Sequence, residues 1–183
     1  YHHHIIEAIR LWRGGLLWQT VVVGTVAGVA VICVLRRVAL ARMLDLLAPS
    51  GAIVALFAWL ACLAIGCAWG VESFPGDGLL WSLSLDLPDL YGISRPRIAV
   101  QLLGAVWSSV TLGLLLHLGR LRPKTGIIFG TWLLLQSLGG LGLGFLRADP
   151  VPLVAGWRVD QLASAALATA AALLLIVLET ASP

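Results

Sequence analysis

Apolar residues run through this chain in long blocks, and the charged residues fall between the blocks rather than inside them. Five uncharged stretches result: Gly14 to Leu35, Leu46 to Val71, Ile98 to Gly119, Thr125 to Leu146 and Gln161 to Leu178. At 1.5 Å rise per residue, about 20 residues of helix cross a hydrocarbon layer roughly 30 Å thick, so each stretch can span a bilayer. The last is the shortest and alanine-rich, yet it ends in the strongly apolar Leu173 to Leu178. No alternation of apolar and polar positions supports a barrel, and only a helix satisfies its own backbone in lipid. The pattern predicts an all-α fold, a polytopic bundle of five transmembrane helices in a single domain covering residues 1–183.

The longest connection, Glu72 to Arg97, carries Pro75, Gly76, Gly78, Pro88 and Gly92 around an amphipathic piece, Leu79 to Leu87. It is expected to be a surface connection with one short helix or strand. The alternative is that its leucines and Trp81 lie on the membrane surface.

Composition points the same way. Hydrophobic residues make up 60% of the 183 and charged residues only 11%, where a soluble domain has about a quarter charged. The net charge of +3 needs no nucleic-acid partner, because membrane proteins keep an excess of Lys and Arg on the cytoplasmic side. With five crossings, Arg36, Arg37, Arg42, Arg120, Arg122 and Lys124 share one side with Asp45 and Glu179, in short loops. The other side holds six arginines against seven acids. The first side is therefore assigned to the cytoplasm, together with the C-terminus. Trp12, Trp18, Trp69, Trp81 and Trp157 fall near the opposite interface, where indole rings anchor spans at headgroup level. Cys33, Cys62 and Cys67 lie in apolar runs and read as small buried hydrophobes rather than disulfides or metal ligands, which leaves the redox compartment unread.

The spans offer little chemistry. No Asp, Glu, Lys or Arg lies inside any of the five stretches, although membrane-embedded chemistry needs ionisable groups. Gln19, Gln101 and Gln136 are polar residues expected to link helices. Small residues recur four apart at Gly24 and Gly28, Gly66 and Gly70, Gly126 and Gly130, and Gly140 and Gly144, a spacing that lets helices approach closely. His117, near the cytoplasmic end of its span, is read as a helix-end cap, with a base, a metal ligand or a ligand to a pigment magnesium as alternatives. His2, His3 and His4 specify no metal site without a fixed further ligand. No cofactor or metal is expected.

Several short segments, in order and spacing, resemble the prolipoprotein diacylglyceryl transferase family over nearly the whole chain. They are Trp12-Arg13-Gly14-Gly15-Leu16, Asp45-Leu46-Leu47-Ala48-Pro49, Trp69-Gly70, Arg95-Pro96, Arg122-Pro123 with Gly126 and Gly130, Phe145-Leu146-Arg147 with Asp149-Pro150, and Gln161-Leu162-Ala163-Ser164. The resemblance implies a bacterial inner-membrane enzyme that moves diacylglycerol from phosphatidylglycerol to a lipoprotein cysteine. It also implies a fold of seven spans with the C-terminus in the cytoplasm, of which this chain corresponds to the last five. The first residue, Tyr1, fits a chain whose two N-terminal spans are missing.

The departures fall on the family's chemistry. The family's histidine after Gly14-Gly15 is Gln19, and its arginine, asparagine and glutamate before Trp69-Gly70 are Trp59, Cys62 and Cys67. Its histidine before proline is Arg95 and the following glutamate is Gln101. The tyrosine, arginine and glutamate of the fourth span fall on Gln136, Gly140 and Gly144. No catalytic residue is carried over. Activation of a thiol and stabilisation of a departing phosphoglycerol each need positioned groups worth 10²-fold or more. The residues therefore point to a catalytically inactive relative acting as an accessory or structural subunit of a larger membrane complex, in contact with membrane lipids and other subunits. Gly140, Gly142, Gly144 and Gln136 are expected to form a lipid- or helix-packing groove. An active transferase is the alternative, for which Arg95, Arg97, Arg147 and Arg158 on the outer side are the only groups that could substitute. A pigment- or cofactor-holding subunit using His117 is a further one.

Overall fold

The computed structural model describes residues 18–88 and 91–180. The first predicted span before Trp18, the Trp12 to Leu16 segment and His2 to His4 lie outside the described residues. Among the described residues, five helices are long and apolar enough to cross a membrane: α1 (Trp18–Arg36), α2 (Leu40–Ile65), α4 (Val100–Arg120), α5 (Ile127–Gly144) and α6 (Val159–Thr180). A short helix α3 (Leu79–Ser82), a hairpin of β1 (Ser84–Pro88) with β2 (Ser94–Ile98), and a small hairpin of β3 (Leu153–Val154) with β4 (Trp157–Arg158) fill the connections at one end.

The second span departs from its expected position by six residues at each end. It begins at Leu40, so Arg42 and Asp45 are helical and Pro49 lies inside the helix. Charge marks where a helix leaves the hydrocarbon, not where its hydrogen bonding stops. The Asp45 carboxylate also has a use, because it accepts Gly126 N and, at 2.8 Å, Phe129 N, satisfying two amides at the start of α5. At its other end α2 stops at Gly66, whose φ of 81° is left-handed.

That turn produces a correction. Gly66 N and Cys67 N both donate to Cys62 O, at 2.9 and 3.0 Å, and the chain folds back so that Cys62 and Cys67 form a disulfide. The reading of all three cysteines as inert hydrophobes holds only for Cys33, which is free and buried. The bridge depends on the left-handed turn, which the apolar run around it conceals.

The segment after the turn crosses the end of the bundle as an extended strip. Ala148 N donates to Trp69 O at 2.9 Å, Val71 N to Leu146 O at 2.9 Å, and Ile98 N to Val71 O at 3.1 Å. Gly70 lies at the centre, where a Cβ would run into the Ile98 carbonyl and come within 2.9 Å of Val100 Cγ2. Trp69 is accordingly buried, with the Arg97 guanidinium 5.9 Å from its ring, instead of anchoring in headgroups. Trp18 is half-buried toward the bundle, whereas Trp81 and Trp157 are exposed. In the long connection, Leu79 to Leu87 divides at Leu83 between α3 and β1, and β1 pairs with β2 in a register that sets Ser84 opposite Ile98.

The most extensive packing joins α5 to α6 and α2 to α4. Positions bare of side chains on α5 meet α6 in antiparallel order: Gly126 against Leu178, Gly130 against Leu175, Gly140 against Ser164 and Gly144 against Gln161. Of the glycines expected to form a lipid- or helix-packing groove, Gly140 and Gly144 pack against α6, and Gly142, half a turn from both, meets nothing within 4 Å. Gly24 and Gly28 on α1 likewise meet nothing, so that pair is not a contact among the described helices.

Candidate functional site

Between α1, α2, α4 and α5 lies a cavity of about 630 Å³, a size suited to a lipid-like ligand. Its walls are apolar and aromatic, with Trp18, Trp59, Trp107, Phe129 and Trp132 on four helices. Close packing aims two of these rings. Trp59 rests on Gly104, and Trp107 rests on Gly139 while donating Nε1 to Leu135 O at 2.8 Å. Glycine at 104 and 139 therefore sets the width of the cavity.

Uncharged residues supply polar atoms, Gln19, Trp132 and Gln136 with the hydroxyls of Thr25 and Ser50. Gln19, 4% exposed, donates Nε2 to Asp160 O and to Ser164 Oγ, each at 2.8 Å. Its Oε1 is buried with no hydrogen-bond partner among the described residues, as are Nε1 of Trp132 and Nε2 of Gln136. Trp132 and Gln136 are four apart on α5 and so share a face. Gln19, Trp132 and Gln136 all line the cavity, while the unmet atoms themselves, two donors and one acceptor, are buried. Burying such groups unpaired costs about 1–3 kcal/mol each.

Among the described lining residues, charge enters only through Arg147 and Asp160, at one end of the cavity. Both belong to a closed set of four. Arg147 holds Asp149 in a two-pronged pair at 2.8 and 2.6 Å and reaches Asp160 at 3.4 Å. Arg158 reaches Asp149 at 3.3 Å, Asp160 at 3.2 Å, and the Asp149 carbonyl at 3.0 Å. Two cations and two anions cancel. Burial by itself raises the Asp149 carboxyl, but the hydrogen bonds and charges of Arg147 and Arg158 outweigh it and hold the group below the usual carboxylate range. Burial likewise opposes the charge of Arg158, and Asp160 and Asp149 reverse this and raise it. Arg97 is buried and pairs with Glu72 at 3.4 Å, and Arg95 reaches the same carboxylate at 3.1 Å. Arg95, Arg97, Arg147 and Arg158 therefore each have a carboxylate partner.

Of the residues singled out in the sequence, Gln19, Gln136, Gly140, Trp59 and Cys62 come together on the cavity wall. Gln101 is buried behind it, donating to Cys67 O at 2.9 Å. Gly144 meets α6, Gly142 faces away, and His117 is exposed in the last turn of α4, where a cation suits a helix C-terminus. Among the described residues, no group of three or more His, Cys, Asp or Glu is placed to hold a metal. Sequence reasoning missed the role of Asp149 and Asp160. A signal was present, since Arg-x-Asp occurs twice, at 147–149 and 158–160, flanking the turn that brings the two copies together.

A family model described as prolipoprotein diacylglyceryl transferase matches residues 1–177. Curated relatives named phosphatidylglycerol–prolipoprotein diacylglyceryl transferase include those of Bacillus velezensis, 28% identical over 96% of this chain and 65% of that protein, and of Symbiobacterium thermophilum, 28% identical over 92% and 62%. A third, from Acaryochloris marina, is 29% identical over 90% of this chain and 60% of its own length. The chain spans 60–65% of the length of these relatives.

Proposed function

The chain belongs to the prolipoprotein diacylglyceryl transferase family, and from that premise we propose that it holds a neutral glycerolipid without carrying out the transfer. The observation that carries this reading is the chemistry of the cavity. Where the resemblance places a histidine, two arginines and three acids, the chain has Gln19, Trp59, Gly140, Cys67, Gln101 and Gly144. The charges that remain are tied into a neutral set. Transfer from phosphatidylglycerol develops and releases negative charge, and an unpaired anion in a low-dielectric site costs several kcal/mol. A neutral lipid avoids that cost. Its tails suit the tryptophan walls, and its uncharged head suits the uncharged polar side chains of the lining, Gln19 and Gln136 among them.

In this reading the protein is an accessory component of a larger assembly in a bacterial inner membrane. The uncovered Gly24 and Gly28 of α1 support it, since small residues four apart suit a neighbouring helix. The Arg120 to Lys124 turn and the C-terminus are cytoplasmic. The Cys62–Cys67 disulfide supports this orientation, because it lies at the opposite end of α2 from the basic turns and disulfides persist in oxidising compartments.

The relatives' names and the presence of Arg147 on the cavity wall favour a second reading, an active transferase. Purification in native-lipid discs followed by lipid mass spectrometry and a transfer assay with phosphatidylglycerol and a lipobox peptide separates the two. The expected result is a co-purified neutral glycerolipid and no transfer. Transfer that disappears in Arg147→Ala would establish the second reading and overturn the first. Labelling of a cysteine introduced at Thr125 by an impermeant reagent added to intact cells would overturn the orientation, and recovery of the protein without any stoichiometric partner would overturn the accessory role.

A further inference from the structure

Cys62 and Cys67 occupy the two positions where the resemblance leads one to expect an asparagine and a glutamate. Both are half-buried, and Cys62 lines the cavity. The two halves of the bridge differ. Cys62 adjoins open volume, one turn beyond Trp59. Cys67 is held from behind, with its N–H on Cys62 O and its carbonyl on Gln101 Nε2, and the Oε1 on that same buried amide has no donor among the described residues.

As a fastening the bridge adds little. The two cysteines are only five apart in sequence, and the entropic gain from a disulfide falls as the closed loop shortens. The turn inside it is already fixed by Gly66 and two hydrogen bonds to Cys62 O. Access to one sulfur and a fixed position for the other are instead the requirements of thiol–disulfide exchange, in which a thiolate attacks one sulfur and the second departs. We propose that Cys62–Cys67 is a redox-active pair that exchanges with a dithiol of an extracytoplasmic protein presented at the outer end of the cavity. The compartment rests on the orientation proposed above; the chemistry does not.

The attacking thiolate of the partner forms a bond to Cys62 Sγ, and the Cys62–Cys67 bond breaks with its electron pair leaving on Cys67. The partner's second thiolate then attacks its own sulfur in the mixed disulfide and expels Cys62. The partner loses two electrons and gains a disulfide, the pair gains two electrons, and the partner's two thiol protons end on Cys62 and Cys67. A more oxidising protein disulfide restores the pair by the same steps in reverse.

The full chain in lipid discs, kept free of reductant, is equilibrated with buffers of reduced and oxidised glutathione, quenched in acid, denatured and alkylated with a polymer maleimide that shifts the gel band once per thiol. Cys33 contributes one tag throughout. The proposal expects the wild-type band to move from one tag to three within the glutathione range. A band that stays at one tag across that range and opens only with excess dithiothreitol in denaturant overturns it. A second measurement uses a cysteine peptide activated as a mixed disulfide, whose activating thiol departs when a protein thiolate attacks. Cys67→Ser should capture the peptide at Cys62 at least about tenfold faster than Cys62→Ser captures it at Cys67. Equal capture by the two variants overturns the assignment of Cys62 as the attacked sulfur.

Discussion

Replacing Asp160 by Asn removes one charge from the set of four at almost constant volume, so its effect isolates electrostatics from packing. Asp160 is 6% exposed and accepts Arg147 Nη1 at 3.4 Å, Arg158 Nε at 3.2 Å and Nη2 at 3.3 Å, and Gln161 N at 3.0 Å. Breaking a buried ion pair by neutralising one partner typically costs about 3–5 kcal/mol. Both arginines keep Asp149, at distances from 2.6 to 3.3 Å, whereas none of the ionic bonds to Asp160 is shorter than 3.2 Å. The expected loss is therefore lower, about 2–3 kcal/mol at pH 7. Reversible unfolding in mixed detergent micelles, followed by tryptophan fluorescence, measures it. The same change leaves two cations facing one anion at the end of the cavity, so phosphatidylglycerol should co-purify in greater amount than with the wild type. A loss under about 0.5 kcal/mol would mean that water screens these groups as at an open surface. No gain in anionic lipid would refute the claim that neutrality of the set is what leaves the cavity to neutral ligands.

Gly70→Ala should cost about 2–3 kcal/mol, because the new methyl collides with a backbone carbonyl that cannot rotate away, whereas Gly142→Ala, with open space around it, should be neutral or gain up to about 1 kcal/mol in the same unfolding assay. Equal losses in the two would refute the packing argument. Asp45→Ala should cost about 1–2 kcal/mol through loss of the two hydrogen bonds to the start of α5, and Asp45→Asn should recover part of it. Asp149 has a lowered pKa in the folded state, so its contribution is fully present above the unfolded value of about 3.9 and is lost as pH falls through the folded value. Unfolding free energy should thus be insensitive to this group from pH 8 to about pH 5 and decline in more acid solution, and Asp149→Asn should remove that part of the decline.

Much of the bundle is determined by the sequence alone, because the free energy of placing a charge in hydrocarbon decides locally which segments enter it. The spans that became α4, α5 and α6 lie within about two residues of the uncharged runs that predict them. Even α2 was legible as a span, though not in its limits, since Arg42 and Asp45 continue its hydrogen bonding beyond the hydrocarbon. The absence of charge from the apolar runs was likewise readable, but not that Arg147 and Asp160 reach one end of the cavity the helices enclose. What only the tertiary structure decided are relations between distant residues. The set formed by Arg147, Asp149, Arg158 and Asp160 requires the turn after α5 to bring two Arg-x-Asp segments face to face, and the Cys62–Cys67 bond requires a single left-handed glycine between two apolar runs. Gly140 and Gly142 show the same division most simply. Both are small residues on one helix, equivalent in composition, but Gly140 is occupied by Trp18 and Ser164 while Gly142 meets nothing, because the angle at which α6 crosses α5 selects one face and leaves the other to its surroundings.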